Sequence, residues 1–564
     1  MSIKRTPYIY ILLFSLGPLL VQGQDKWLEL RSQESEHSGI LNALGPQGPL
    51  SGAEEIDAAL DSLLIKLELR GFLGARLDSL QSKDTVAIAY FTLGRRTGTL
   101  RVQVNPEGRE LLGEQYVQGL GLSVNDSVLE LPFTRVPAVL QGLADRLEKK
   151  GNSFARVQLT DIRLEKDTAI ARLRITSNER RKVDKVVVRG YENFPRSYLD
   201  HALRLKAGSV FSREKLNYAS EAVRGLAFAE ELRPPEVLFT RDSTMIYLYL
   251  QKKRSNRFDG ILGFASKEDS GGLQFNGYLD LSVNNIFNGG ETISLFWKNN
   301  GDDRQRFYVE AEVPYIFNLP IIPRAQFELY RQDSTYSNIT AEISLGYDLH
   351  RKGRVNLSLR AEESSDLTDN ATAAVRSYSN LFFGASYQLR RPTGEALLPG
   401  RFELQAEALF GYRKSEGERE RQARFALKGN YLWSINAKNH VFVQNQSGWL
   451  QSDMYLANEL FRFGGIHDLR GVNEESIFAS LYSVFNLEYR YRPGNSGYFY
   501  TISDFSYSEN GITATDTQIL SLGLGYAFLT KVGRFNLGYA IAKFDENPFE
   551  FGNSRVHISL LSYF

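Results

Sequence analysis

The sequence predicts N-terminal α+β domains followed by an all-β, 16-stranded antiparallel transmembrane β-barrel. Three observations predict it. Roughly the last 300 residues alternate apolar and polar side chains almost without a break, the period of a strand with one face on lipid and one on water. Beyond the N-terminus no window approaches the ~18 consecutive apolar residues of a membrane helix. Between about 53 and 252 the pattern is instead helix and strand in alternation.

Met1 to Gly23 joins a basic start (Lys4, Arg5) to an apolar stretch from Tyr8 to Val21 and small or permissive residues before Gln24, the layout of a cleavable secretory signal peptide. A retained anchor is the alternative, disfavoured by the short apolar core. The chain has no Cys, which excludes a lipoprotein anchor, a disulfide frame and thiolate metal sites. Formal charge is 67 − 66 = +1, or −1 without Lys4 and Arg5, so no nucleic-acid partner is expected. Phe and Tyr (35 and 29) dominate over four Trp, and aromatic girdles at two membrane interfaces would use them.

Residues 24–52 are polar, with Ser, Gly and Pro, and read as a loosely ordered lead-in. Ala53 to Leu69 predicts a helix, followed by strands at Ala75 to Leu80 and Thr85 to Leu93; Thr134 to Lys150 predicts a second helix, followed by strands at Phe154 to Leu164 and Thr168 to Ile175. Next comes a strand at Lys182 to Arg189, a short helix at Pro195 to Leu203 opened by its proline, and a helix at Arg213 to Leu226 with Ser212 as N-cap. Glu236 to Thr240 and Thr244 to Gln251 close the unit as a hairpin. This β-α-α-β-β order, directly before a barrel, resembles a POTRA domain, and Leu203, Gly208, Phe211 and Leu216 are similar to that family's inter-helix pattern. Segments near 27–93 and 94–178 look like weaker copies, one without a recognisable opening strand. The expected organisation is therefore a signal at 1–23, a lead-in at 24–52, POTRA-like units at 53–93, 94–178 and 179–254, and a barrel at 255–564.

Sixteen barrel strands are expected to begin near 257, 273, 290, 304, 323, 337, 354, 374, 400, 421, 439, 480, 497, 519, 533 and 554, the even count of a barrel with both ends on one side of the membrane. From 401 to 412, Phe402, Leu404, Ala406, Ala408, Phe410 and Tyr412 fall on one face and Arg401, Glu403, Gln405 and Glu407 on the other. Phe307 to Tyr315, Val355 to Ala361, Ala423 to Trp433 and Leu273 to Val283 read alike. One connection, 453–479, is far longer than the rest, and long loops are usually functional or disordered.

That loop contains Phe463-Gly464-Gly465-Ile466-His467-Asp468-Leu469-Arg470-Gly471-Val472. Here the chain resembles the BamA/TamA superfamily of outer-membrane assembly barrels, whose sixth loop folds into the lumen and carries a Val/Leu-Arg-Gly-aromatic motif; about three POTRA-like units make it most like the shorter TamA type. Parity places Glu488 on the lumen face of Leu481 to Arg492, and Asp504 on that of the next strand, where solvated lumen charges are the plain alternative. The resemblance implies that both carboxylates anchor Arg470 through charge-assisted, bidentate bonds. Gly523 and Gly525, on the lumen face of Leu520 to Phe528, are expected to leave room for the loop. Asn285-Ile286-Phe287-Asn288-Gly289-Gly290 and Val313-Pro314-Tyr315 look like the family's tight turn and Pro-Tyr exit, with a structural role. Two departures stand out: Val472 replaces the usual aromatic, and Ser562 interrupts the apolar face of Val556, Ile558, Leu560 and Phe564.

The seam between the first strand (Gly260, Gly263, Phe264) and the last (Leu560, Phe564) is where the resemblance implies opening. The two glycines weaken pairing or mark a bend. The resemblance further implies an outer-membrane location in a diderm bacterium, N-terminal units in the periplasm that bind by β-augmentation or serve as rigid spacers, and unfolded outer-membrane client proteins, outer-membrane lipid and periplasmic or inner-membrane helper proteins as partners. A two-partner secretion translocator, a lipid-handling member of the superfamily and a passive porin-like barrel are the alternatives. No nucleophile elbow, P-loop or His-Glu-x-x-His is found, so no enzyme activity, metal or cofactor is expected.

Overall fold

The computed structural model describes residues 25–83, 85–119, 123–125, 127–177, 179–266, 273–299, 304–368, 374–393, 395, 397–398, 400–530, 533–545 and 547–562. The signal expected at 1–23 and the terminal Phe564 lie outside them. The chain forms two compact units, Met1–Arg181 and Lys182–Phe564.

The first unit holds two sheets. In one, Asp25–Ser32 pairs parallel with Val86–Thr92, which pairs antiparallel with Arg76–Ser82. The helix Ala53–Leu69 turns Ile56, Leu60, Leu63 and Leu67 inward, a stripe at three- and four-residue spacing that buries one face. The lead-in expected to be loose is structured instead. Asp25–Ser32, the helix Ser35–Leu44 and the short strand Leu50–Ser51 bury Leu30, Leu41 and Leu50 in the same core. Three apolar anchors suffice to order a polar segment, and their wide spacing leaves no period to read. In the second sheet the opening strand is also present. Thr99–Gln103 lies parallel to Thr168–Thr176, which pairs antiparallel with Arg156–Glu165, and a hairpin of Ser123–Asn125 and Val128–Pro132 widens it. The helix Val136–Lys149 packs Val139, Leu143 and Leu147 against Leu100, Val102, Leu129 and Leu131.

The second unit begins with the same plan. Lys185–Arg189 runs parallel to Thr244–Lys252, which pairs antiparallel with Ala229–Phe239. Ser212 Oγ accepts the Lys215 N–H at 3.3 Å and caps the helix Arg213–Arg224. Ala229–Phe239 starts earlier than predicted and passes through Pro234 and Pro235, with register breaks between Glu231 and Arg233 and between Arg233 and Glu236. Proline donates no ladder bond and is tolerated there because the strand is an edge.

Sixteen antiparallel strands follow in sequence order, from Arg257–Ser266 to Ser554–Ser562, each starting within four residues of its expected position. Among the described residues no backbone ladder joins the first strand to the last. The outer face is apolar and open, with Leu357, Phe383, Leu524 and Ile558 each 65–70% exposed, a belt that only hydrocarbon would cover. The inner face is a polar lattice. Arg360 reaches Glu342 at 2.6 Å and Glu407 at 2.8 Å, and Arg354 reaches Asp348 at 2.8 Å and Glu312 at 2.9 Å. One expected strand is shortened. Phe307 to Tyr315 ends as a strand at Glu312, because Pro314 follows and Tyr315 adopts φ +58°, so the Tyr315 ring leaves the outer face and is buried.

Tyr315 belongs instead to the contact between the third α+β element and the barrel. It meets the Tyr198 ring edge-on at 5.1 Å and stacks on His201 at 5.3 Å. Nε2–H of His201 donates to the Asn318 carbonyl at 2.8 Å. The turn at 285–291 forms the other half. Asn285 (φ +55°, fully buried) accepts the Gly290 N–H at 2.7 Å and donates to Tyr191 Oη at 2.5 Å, while Tyr198 Oη donates to the Gly290 carbonyl at 2.9 Å. Gly290 has φ +78°, and a Cβ there would overlap the Tyr198 ring. The two turns therefore fasten the preceding domain to the barrel. Gly290→Ala should loosen that contact by ~1.4 kcal/mol, about a tenfold change in the undocked fraction. The check is trypsin cleavage at the exposed Lys252, Lys253 and Arg254 of the full chain, which should accelerate relative to the unsubstituted protein.

Candidate functional site

The long loop leaves the strand Asn439–Gln451, turns at Ala457–Glu459, and forms a ribbon in which Phe461–Phe463 pairs with Ile477–Ala479 before rejoining the barrel at Leu481–Tyr491. The tip needs its glycines. Gly464, Gly465 and Gly471 have φ of +120°, +100° and +82°, a region where a Cβ is strained. A Cβ on Gly464 would also lie 2.6 Å from the Asn473 carbonyl oxygen, and one on Gly471 2.8 Å from Ser521 Oγ. Leu469, Phe463 and Val472 are buried with Tyr482, Val484, Ile519 and Ala542. Val472 thus packs without the aromatic that the resemblance led one to expect.

The Leu481–Tyr491 and Gly497–Asn510 strands pair so that Asn486 faces Asp504. Their inward residues carry the charges. Arg470 Nε and Nη2 bond Asp504 Oδ2 and Oδ1 at 2.8 and 2.5 Å, Nη1 bonds Glu488, and the Arg470 backbone N–H donates to Asp504 Oδ2 at 3.1 Å. Arg470, Glu488 and Asp504 are all buried. Arg490 lies on the same strand, two residues beyond Glu488. Its Nε and Nη2 bond Glu488 Oε2 at 2.8 and 2.7 Å, and its guanidinium lies 4.0 Å over the Phe442 ring. Two guanidiniums and two carboxylates therefore balance, which is the condition for burying charge. Asn486 adds a bond from Nδ2 to the Asp468 carbonyl at 2.8 Å.

A second anchor escaped the sequence reading. Glu459, at the start of the loop, accepts from Arg413 Nη1 at 2.5 Å, Gln422 Nε2 at 2.9 Å and the Leu456 N–H at 2.9 Å, while Arg413 also pairs with Glu420. The inward parity of Arg413, which continues from Arg401 and Glu403, was its one visible signal. Asn458 Nδ2 donates to Ser364 Oγ at 2.6 Å and to the Arg376 carbonyl at 2.8 Å.

The glycines expected to leave room for the loop do something else. A Cβ on Gly525 would overlap Tyr500, whose ring covers it, and one on Gly523 would overlap the backbone of Tyr539. The loop instead enters beside Ser521 and Ala542, the small residues nearest Gly471. In the seam strands, Gly260 pairs with Leu279 in the first hairpin, Gly263 with Asn276 and Phe264 with Phe275, while Leu560 pairs with Phe535. The side chains of Phe264 and Ser562 lie outside the described residues. Among the described residues no cluster suited to a metal ion is found.

Residues 181–249 match the POTRA family model, described as surface antigen variable number repeat. A search of curated proteins returns no match. By structure, the chain is similar to CdiB from Acinetobacter baumannii (TM-score 0.54, 14% identity, covering 83% of this chain and 90% of that one). It is likewise similar to CdiB from Escherichia coli (TM-score 0.52, 13% identity, 82% and 90%). BamA from Haemophilus ducreyi lacking POTRA domains 1-3 matches with a TM-score of 0.46 at 12% identity, over 82% of this chain and 98% of that one. The protein is a POTRA-containing β-barrel. Its overall fold is that of the two CdiB structures.

Removing one partner from a buried charge cluster is far more costly than never forming it. Arg470→Ala, which leaves Glu488 and Asp504 facing a cavity, should lower barrel stability by ~3–5 kcal/mol in guanidinium unfolding, with Arg470→Lys between it and the parent. Glu459→Ala leaves Arg413 its second partner, Glu420, and should cost only ~1–3 kcal/mol. Combined, the two alanine substitutions should raise single-channel conductance in planar bilayers above either one alone.

Proposed function

We propose that the protein assists the assembly, insertion or translocation of outer-membrane proteins, with POTRA-like units in the periplasm receiving unfolded clients and the edge between first and last strands admitting them to the bilayer. The observation that carries this reading is the combination of an apolar outer belt with an unladdered edge between Arg257–Ser266 and Ser554–Ser562 among the described residues. Unpaired strand edges template other strands. The role is non-enzymatic, and the units at 25–93 and 97–176 act as further POTRA-like domains because they share the parallel first and last strands of the matched one.

The charge-balanced loop favours this reading over a passive porin, since it crosses the lumen and is held at both Glu459 and Arg470. A photo-cross-linker at Leu560 in the full chain, in living cells, should trap nascent barrel strands. Adducts to lipid alone, together with unchanged outer-membrane composition after deletion, would overturn the proposal.

A further inference from the structure

Beyond Arg470 the loop touches both walls that flank the seam. The Gly471 N–H donates to His557 Nε2 at 3.1 Å, and Asn473 Oδ1 accepts from Arg555 Nε at 3.0 Å, both on the last strand. The next two residues turn to the opposite wall. The Glu474 carboxylate meets Lys298 Nζ at 2.5 Å, its carbonyl accepts from Arg304 Nη1 at 2.6 Å, and Glu475 accepts from Arg306 Nη1 at 3.0 Å. These three cations sit on the third and fourth strands, Thr292–Asn299 and Arg304–Glu312. Between the two walls lie the first two strands, Arg257–Ser266 and Leu273–Asn284, and the edge that no ladder closes among the described residues.

Among the described residues the first strand is therefore laddered on one side only. Register pairs join it to the second strand along its whole length, and Arg257 bonds Asp280 at 2.8 Å. On its other side it lies alongside the last strand without a register pair among the described residues, and five consecutive loop residues span the same gap from the lumen side. The chemistry on the two walls is different. The last strand offers a ring nitrogen and a guanidinium to a backbone N–H and an amide, whereas the third and fourth strands offer three cations to two carboxylates and a carbonyl.

We infer that Gly471–Glu475 is an internal strap across the seam, and that the seam widens only when the strap lets go of one wall. The inference rests on the seam reading proposed above, and it concerns residues distinct from the Arg470 anchor, which holds the loop to strands on one side only.

The chain has no Cys, so Phe258→Cys and Ile558→Cys place two nitroxide labels on the outer faces of the first and last strands of the full protein in lipid bilayers, and double electron–electron resonance reads their separation. Glu474→Lys with Glu475→Lys should shift that distance upward by about one strand spacing, ~4.8 Å, and adding Lys298→Glu with Arg306→Glu should bring it back. A folded barrel, identified by its shifted migration without heating, whose distance is unchanged by the first pair, or changed but not recovered by the second, overturns the strap. If the charge-reversed barrel fails to fold, the labelled parent decides. The ion pairs lie in a wet lumen, so raising ionic strength from about 0.05 to 1 M, which shortens the screening length to ~3 Å, should widen the distance distribution, and a salt-independent distribution overturns the strap. Leu560 cross-linking is scored separately. Strap-dependent distances without captured clients retain the strap and discard the insertion role, whereas captured clients with strap-independent distances do the reverse.

Discussion

A guanidinium buried inside the barrel must have its charge met, and much of the local architecture follows from meeting that of Arg470. Asp504 takes two of its nitrogens and the backbone N–H, Glu488 takes the third, and Arg490 restores neutrality by holding the far oxygen of Glu488. Bringing Arg470 to that point forces the chain on either side into conformations only glycine accepts readily, and requires Ser521 beside Gly471. The same pinning holds Leu469 and Val472 in the apolar cluster under the loop. Geometry of this kind is intolerant of partial loss, because each member is dry and each has partners that cannot turn to water.

The loop and the domain before the barrel grip opposite ends of the same strands. Thr292–Asn299 follows directly on the turn that holds Tyr191 and Tyr198, and further along carries Lys298, which meets Glu474. Arg304–Glu312 likewise carries Arg306 against Glu475 and leads into Tyr315, buried against Tyr198 and His201. Strands are stiff along their length, so the third and fourth strands form a short rigid connection between the docked domain and the loop tip.

Much of this was legible in the sequence because a barrel strand exposes its parity. Glu488 and Asp504 could be placed inside from alternation alone, and sixteen strand positions followed from the same period. Joining the two acids to Arg470 needed the resemblance, since nothing local ties a loop residue to a strand 34 positions later. Glu459 and Arg413, 46 residues apart, went unseen for that reason: one acid in a polar loop has no period. Gly525 was visible as small and inward, but smallness does not say which neighbour fills the space, and it is Tyr500. At residues 25–51 local polarity hid three buried leucines whose partners lie on other elements.

The two anchors of the loop differ in when their partners are made. Arg413, Glu420 and Gln422, which hold Glu459, lie on strands that precede the loop in the chain, whereas Glu488 and Asp504 lie on strands that follow it. The Glu459 anchor is thus complete in a chain that ends with the loop, whereas Arg470 has no carboxylate to meet until the next two strands are in place. One loop is held backward along the sequence at its start and forward at its tip, so it ties the strands before it to the strands after it.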